Sequence, residues 1–98
     1  MQPTMVLLLV LGLLAPGRLH AQDKTAGEAL FEEHCAGCHG ERISNPNNIF
    51  DLKLLKAEER PRFDRAMREG KGQMPSWEGV LSPQETDHVW AYLQSVGG

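Results

Sequence analysis

The two cysteines stand three positions apart in the stretch FEEHCAGCHG, residues 31–40, and His39 follows the second directly. Such a pair can form a redox disulfide, contribute to a zinc site or carry a porphyrin covalently. A disulfide between Cys35 and Cys38 closes a loop too small to constrain the unfolded chain much. A thioredoxin-like pair needs a βαβ context, and no strand-like alternation flanks these residues. Zinc takes about four ligands. His34 and His39 adjoin the cysteines but do not both turn inward easily, and there is no second cysteine pair. C-x-x-C-H is the attachment pattern of haem c. Each thiol adds across one porphyrin vinyl group, and the spacing matches the separation of those vinyls. The next residue then lands beneath the iron. Cys35 and Cys38 are therefore the expected thioether donors, His39 an expected axial ligand, and one covalent haem c the expected cofactor.

A haem iron needs a sixth ligand or an open face. Met67, Met74, His88 and His34 are the candidates considered. Met74 lies in GKGQMPSW, where Gly70 and Gly72 allow the chain to wrap over a flat ring and Pro75 stiffens it just past the sulfur. Met67 falls four residues after Phe63, the spacing of a core pair on a helix. His88 reads as an exposed histidine and His34 as a surface or capping side chain. Met74 is the expected second axial ligand.

Compartment constrains the thiols. Met5 to Ala15 is an apolar run of 11 residues, the length of a secretory h-region and short of a membrane span. Pro16 and Gly17 break it, and Leu19-His20-Ala21 offers a cleavage site. We read residues 1–21 as a cleaved signal peptide and residues 22–98 as one exported domain in the periplasm, with no membrane span after cleavage. A domain of that size buries little surface, so a staple such as a cofactor is expected. Nine of the ten basic residues remain after cleavage (Arg18 is lost) against all thirteen acidic ones, a formal charge of −4. That balance argues against nucleic acid and for a partner presenting a basic patch.

Three helices must position these groups. Thr25 and Glu28 form an S/T-x-x-E capping box, which predicts a helix starting at Thr25 with Gly27, Phe31 and Cys35 along one face. Gly27 costs about 1 kcal/mol relative to Ala inside a helix, and close approach of another helix would explain it. A second helix is predicted from about Glu58 to Glu69, with Pro61 in its first turn, Gly70 as its C-cap, and Phe63, Ala66 and Met67 as its apolar stripe. The charged stretch KAEERPRFDRAMREG around it reads as a solvated face. The last helix has Ser82 at N-cap, Pro83 at N1 and Glu85 at N3, with Val89, Tyr92 or Leu93, and Val96 recurring at helical spacing before Gly97 ends it. Ile49, Phe50, Leu52 and Leu55 are expected to pack under one haem edge. For the haem propionates, Trp77, Asn47, Asn48, Arg42 and Lys71 are candidates. No segment reads as a strand, so the expected class is all-α.

Gly27 and Phe31 ahead of Cys35-Ala36-Gly37-Cys38-His39, the Met74-Pro75 loop and the closing Val89-Trp90-Ala91-Tyr92-Leu93 together resemble a class I cytochrome c. The resemblance covers essentially all of residues 22–98. It implies three to four short helices wrapped around one haem, with the terminal helices crossing at Gly27 and Tyr92 or Trp90 packing nearby. It also implies a loop carbonyl, here that of Pro46, accepting the His39 Nδ1 proton. Only 34 residues separate His39 from Met74, which is similar to small bacterial cytochromes and the haem modules of cbb3-type oxidase subunits. The lysine ring of the mitochondrial carrier is missing.

The function so implied is a soluble, monomeric electron carrier rather than an enzyme. Its partners would be an electron donor such as a periplasmic dehydrogenase and an acceptor such as a terminal oxidase. The alternatives are an electron-entry or exit subunit of a larger dehydrogenase or oxidase, and an open-site haem protein that binds small ligands or acts as a peroxidase.

Overall fold

The computed structural model describes residues 22–97, and the expected signal peptide, residues 1–21, lies outside the described residues. Among the described residues, four helices run in the order α1 (Lys24–His34), α2 (Ala36–His39), α3 (Arg60–Glu69) and α4 (Pro83–Val96). Short 3-10 turns at Glu41–Ile43, Leu52–Leu54 and Ala57–Glu59 carry the chain between α2 and α3. Among the described residues there is no strand, only the isolated bridges Lys71–Met74 and Glu78–Leu81. No helix there is long and apolar enough to cross a membrane.

Helix α1 begins one residue earlier than its sequence suggests. Its N-cap is Asp23, whose carboxylate accepts from the Thr25 and Ala26 amides at 2.9 and 3.2 Å. Thr25 therefore lies inside the first turn, because Asp23 fills the same capping role and binds two orphan amides. Helix α4 starts as expected: Ser82 accepts from the Glu85 amide at 3.1 Å, and Glu85 accepts from the Ser82 amide at 2.8 Å. Pro83 occupies N1, where its missing N–H costs nothing. Helix α3 opens at Arg60 after a 3-10 turn and closes at Gly70.

The long terminal helices α1 and α4 cross at Gly27, and their packing is the most extensive between any two elements. A Cβ on Gly27 would overlap the His88 carbonyl oxygen and meet the Tyr92 Cβ at 3.0 Å. Phe31, fully buried one turn further on, packs its ring 5.5 Å from that of Tyr92. Trp90 points the other way, onto Phe63 of α3 at 5.1 Å, so Tyr92 is the aromatic neighbour of the crossing.

His88 also tightens the crossing. Its Nδ1 accepts from the Asp23 amide at 3.0 Å, tying the start of α1 to the first half of α4. It is therefore a tether rather than a free surface histidine.

On the opposite flank of α4, Arg60 joins two carboxylates, Asp64 at 2.8 Å and Asp87 at 2.6 Å. Its guanidinium also lies 5.8 and 5.5 Å from the Phe63 and Trp90 ring centroids. Burial works against the Arg60 charge, but the bonds from Asp87 and Asp64 outweigh it and hold the group protonated. One member of the charged stretch is thus structural.

The crossing yields a prediction opposite in sign to helix propensity. Ala at position 27 would gain about 1 kcal/mol as a helix former, yet its methyl has no space against a backbone carbonyl. Gly27→Ala is expected to lose about 2 kcal/mol net, read as a lower denaturant midpoint of the haem-loaded protein.

Candidate haem-attachment site

Helix α1 ends at His34, and Cys35 is both its C-cap and the N-cap of the single turn α2. The Cys35 amide donates to the Phe31 carbonyl at 2.7 Å, and the His39 amide donates to the Cys35 carbonyl at 3.0 Å. Cys35, Cys38 and His39 thus stand at i, i+3 and i+4 on one helical turn, the spacing that places side chains on one face. Both thiols are free, with Cys35 half-buried and Cys38 exposed.

Electrostatics separates the candidate chemistries. Burial pushes the Cys35 thiol up to about 11, with Cys38 and Glu32 adding to the shift. A redox or zinc-binding cysteine is expected to favour its thiolate, whereas this environment keeps Cys35 protonated. Among the described residues, no three His, Cys, Asp or Glu side chains gather into a group able to hold a metal ion. His39 is also partly sequestered, and burial lowers its pKa, favouring the neutral imidazole that ligates iron. Its Nδ1 is buried without a hydrogen-bond partner.

The carbonyl of Pro46 therefore does not accept from His39 here. The loop instead meets the end of α2 through other atoms. The Asn45 amide donates to the His39 carbonyl at 2.7 Å, and Asn47 Nδ2 donates to the Cys38 carbonyl at 2.9 Å. These bonds satisfy carbonyls that a helix end leaves open, which gives Asn47 a structural task. The loop turns sharply to do so: Arg42, Ile43, Asn45 and Asn48 all have φ between 54° and 60°. Ile43 is β-branched, and its complete burial holds it in that costly conformation. Leu55 is buried as expected and Leu52 partly so, whereas Ile49 and Phe50 are 42% and 41% exposed. Phe50 lies under the Arg62 guanidinium at 4.3 Å. Arg42, Asn48 and Lys71 are all exposed.

Met74 is presented by a tight turn. Gly70 leaves α3 with φ 79°, and Lys71 and Met74 exchange two backbone hydrogen bonds of 2.9 Å around Gly72, whose φ is 60°. Ser76 Oγ and the Trp77 amide then donate to the Arg68 and Met67 carbonyls at 2.6 and 2.7 Å. The loop is thereby anchored on the last turn of α3. Met74 is half-buried against the core, while Met67, 5% exposed, is part of that core. His34 is not a free surface residue: its ring meets Trp77 edge-on at 5.4 Å. That contact sets the residue before Cys35 against the segment after Met74. Ile43 and Leu81 are core residues that sequence periodicity does not reveal, since each sits outside the long helices.

Residues 22–93 match the family described as cytochrome c oxidase, cbb3-type, subunit III. The chain belongs to this family. It is 30% identical over 82 residues to the cbb3-type cytochrome c oxidase subunit FixP of Bradyrhizobium sp. (strain ORS 278), covering 78% of this chain but 28% of that protein. It thus spans little more than a quarter of the length of that relative. Cytochrome c6 of Euglena gracilis is 33% identical over 82 residues, covering 74% of this chain and 91% of that protein. Cytochrome c6 of Bryopsis maxima is 31% identical over 81 residues, covering 72% and 89%. No solved structure matches.

The helical architecture is that of a class I cytochrome c, and family membership implies one covalently bound c-type haem. The site fits that group. It offers two free thiols and a neutral imidazole on one turn, with the imidazole's Nδ1 buried on the protein side.

Met67 serves as a control for the site. Met67→Ala is expected to cost about 2–5 kcal/mol through the cavity it leaves, seen as a lower unfolding temperature, with the visible spectrum of the loaded protein unchanged.

Proposed function

We propose that this chain carries single electrons between redox proteins outside the cytoplasmic membrane, on a haem c held by Cys35 and Cys38 with His39 and Met74 as axial ligands. The observation that carries the reading is the single turn Cys35–His39, which places two free thiols and an imidazole kept neutral by burial on one face. When bound, the haem supplies one-electron chemistry between ferric and ferrous iron, and a thioether ligand in an apolar surround raises the potential. The protein's own residues do the positioning. Phe31 and the α1–α4 crossing fix the direction in which α1 delivers Cys35, and the Asn45 and Asn47 bonds hold α2 in place. The anchored turn after α3 offers Met74. With both axial positions filled, no coordination site is left for a substrate, which supports a carrier rather than an enzyme.

Residues 1–21 serve as a cleaved export leader on this reading, and the family match beginning at residue 22 supports that boundary. Coverage of about nine-tenths of the cytochrome c6 relatives favours a carrier whose working unit is this one domain, and we propose that it acts as a diffusing monomer. The match to a quarter of FixP favours a second reading, in which the domain acts as one module of a larger oxidase assembly. Either way, a formal charge of −4 on residues 22–98 suits a partner with a basic docking face.

Expression with its leader, in a host that attaches haem c, tests the reading. The secreted product is expected to begin at Gln22, to weigh more than its amino acids by one haem, and to keep its colour in acidified organic solvent. Met74→Ala is expected to abolish the long-wavelength thioether–iron charge-transfer band, lower the midpoint potential and open the ferrous iron to carbon monoxide. An intact band in that variant would remove Met74 from the site. Association with the natural partner is expected to weaken steadily as salt rises, as screening of complementary charge requires. A flat salt dependence, read by stopped-flow electron transfer, would refute the acidic docking face.

A further inference from the structure

The Met74 turn is bonded almost wholly to itself and to α3. Lys71 and Met74 bond each other, Ser76 and Trp77 bond the Arg68 and Met67 carbonyls, and the Val80 and Leu81 amides return to the Trp77 carbonyl at 3.0 Å. None of these bonds reaches α1 or α2, where the cysteines and His39 lie. The aromatic pair that bridges the two halves is His34 with Trp77, centroids 5.4 Å apart at 65°. His34 is the last residue of α1, directly before Cys35, and Trp77 is the third residue after Met74. The His34 side chain is 23% exposed, with the Glu33 carboxylate 3.7 Å away. Trp77 is half-buried against the core.

Edge-to-face geometry is the favourable arrangement for two rings, because a positive edge meets a negative face. A contact at this position acts across the space between the two ligand-bearing segments. We propose that the His34–Trp77 contact is a clasp that holds the Met74 loop against the attachment helix and thereby sets how often Met74 leaves the iron. His34 is then a positioning residue, acting through Trp77 and touching neither ligand bond. The inference rests on Met74 being the axial ligand. It differs from that reading in what it controls, which is the lifetime of the closed loop and not the identity of the ligand.

Cyanide entry into the ferric loaded protein measures that lifetime, since cyanide binds only when the methionine has left. The comparison needs the unaltered protein, Met74→Ala, His34→Ala, His34→Phe, Trp77→Leu and the double variant His34→Ala with Trp77→Leu. His34→Ala is expected to bind cyanide about three- to tenfold faster, the loss of one aromatic pair, while retaining the thioether–iron band. His34→Phe keeps a ring edge at the same place and is expected within about twofold of the unaltered rate. Trp77→Leu should match His34→Ala, and the double variant should add no more than about twofold to either, the mark of two residues sharing one interaction. An unchanged rate in His34→Ala overturns the clasp. So does a His34→Phe rate as fast as His34→Ala, or a double variant in which the effects multiply. If the unaltered protein lacks the band and binds cyanide as fast as Met74→Ala, the ligand assignment has failed, and the clasp falls with it. The two His34 variants decide the matter even if the Trp77 variants do not fold.

Discussion

The crossing of α1 and α4 at Gly27 is the constraint on which the remaining geometry rests. Two helix backbones approach so closely there that a methyl group has no space beside the His88 carbonyl. That approach fixes the rotation of α1 about its axis and so the side on which Phe31 and Cys35 emerge. The Phe31–Tyr92 contact and the Asp23–His88 hydrogen bond flank the crossing on either side and allow little sliding. For a domain of this size, with few large side chains to bury, precise helix registry substitutes for a large core.

From that frame the site follows by short covalent reach. Cys35 is the residue at which α1 stops, so the orientation of α1 becomes the orientation of the attachment turn. The surroundings then select among possible thiol chemistries. Burial and the neighbouring Cys38 and Glu32 keep Cys35 protonated, and burial keeps His39 neutral. A thiol held protonated in this way is a poor nucleophile, and a neutral imidazole keeps a lone pair free for a metal. The methionine arrives by a separate route, on a turn fastened to the end of α3. Among the described residues, the pairing of His34 with Trp77 links the segment after Met74 to the last residue of α1.

Two kinds of relative share this architecture. In the cytochrome c6 proteins the domain makes up nearly the whole chain, and in FixP it is about a quarter of it.

The amino-acid sequence by itself determined the chemistry and the helices. C-x-x-C-H is a local pattern set by the width of a porphyrin, and the Ser82-Pro83-Glu85 start of α4 and the Gly70 stop of α3 are local backbone rules. The need for a partner at Gly27 was equally legible, since a glycine in a helix interior costs stability unless something approaches it. The capping pattern puts the start of α1 at Thr25, and the bonds of the Thr25 and Ala26 amides to the Asp23 carboxylate show that the cap lies at Asp23. What the tertiary structure alone decided are contacts between residues far apart in the chain and the path of the loop between them. These are His34 on Trp77, Arg60 on Asp87, and the left-handed loop that buries Ile43 while leaving Ile49 and Phe50 exposed. The His39 Nδ1 is likewise found without the Pro46 carbonyl, while the Asn45 amide and the Asn47 side chain bond the end of α2. Periodicity and capping act within about one helical turn, whereas these pairings depend on where whole elements come to rest, and no local pattern encodes that.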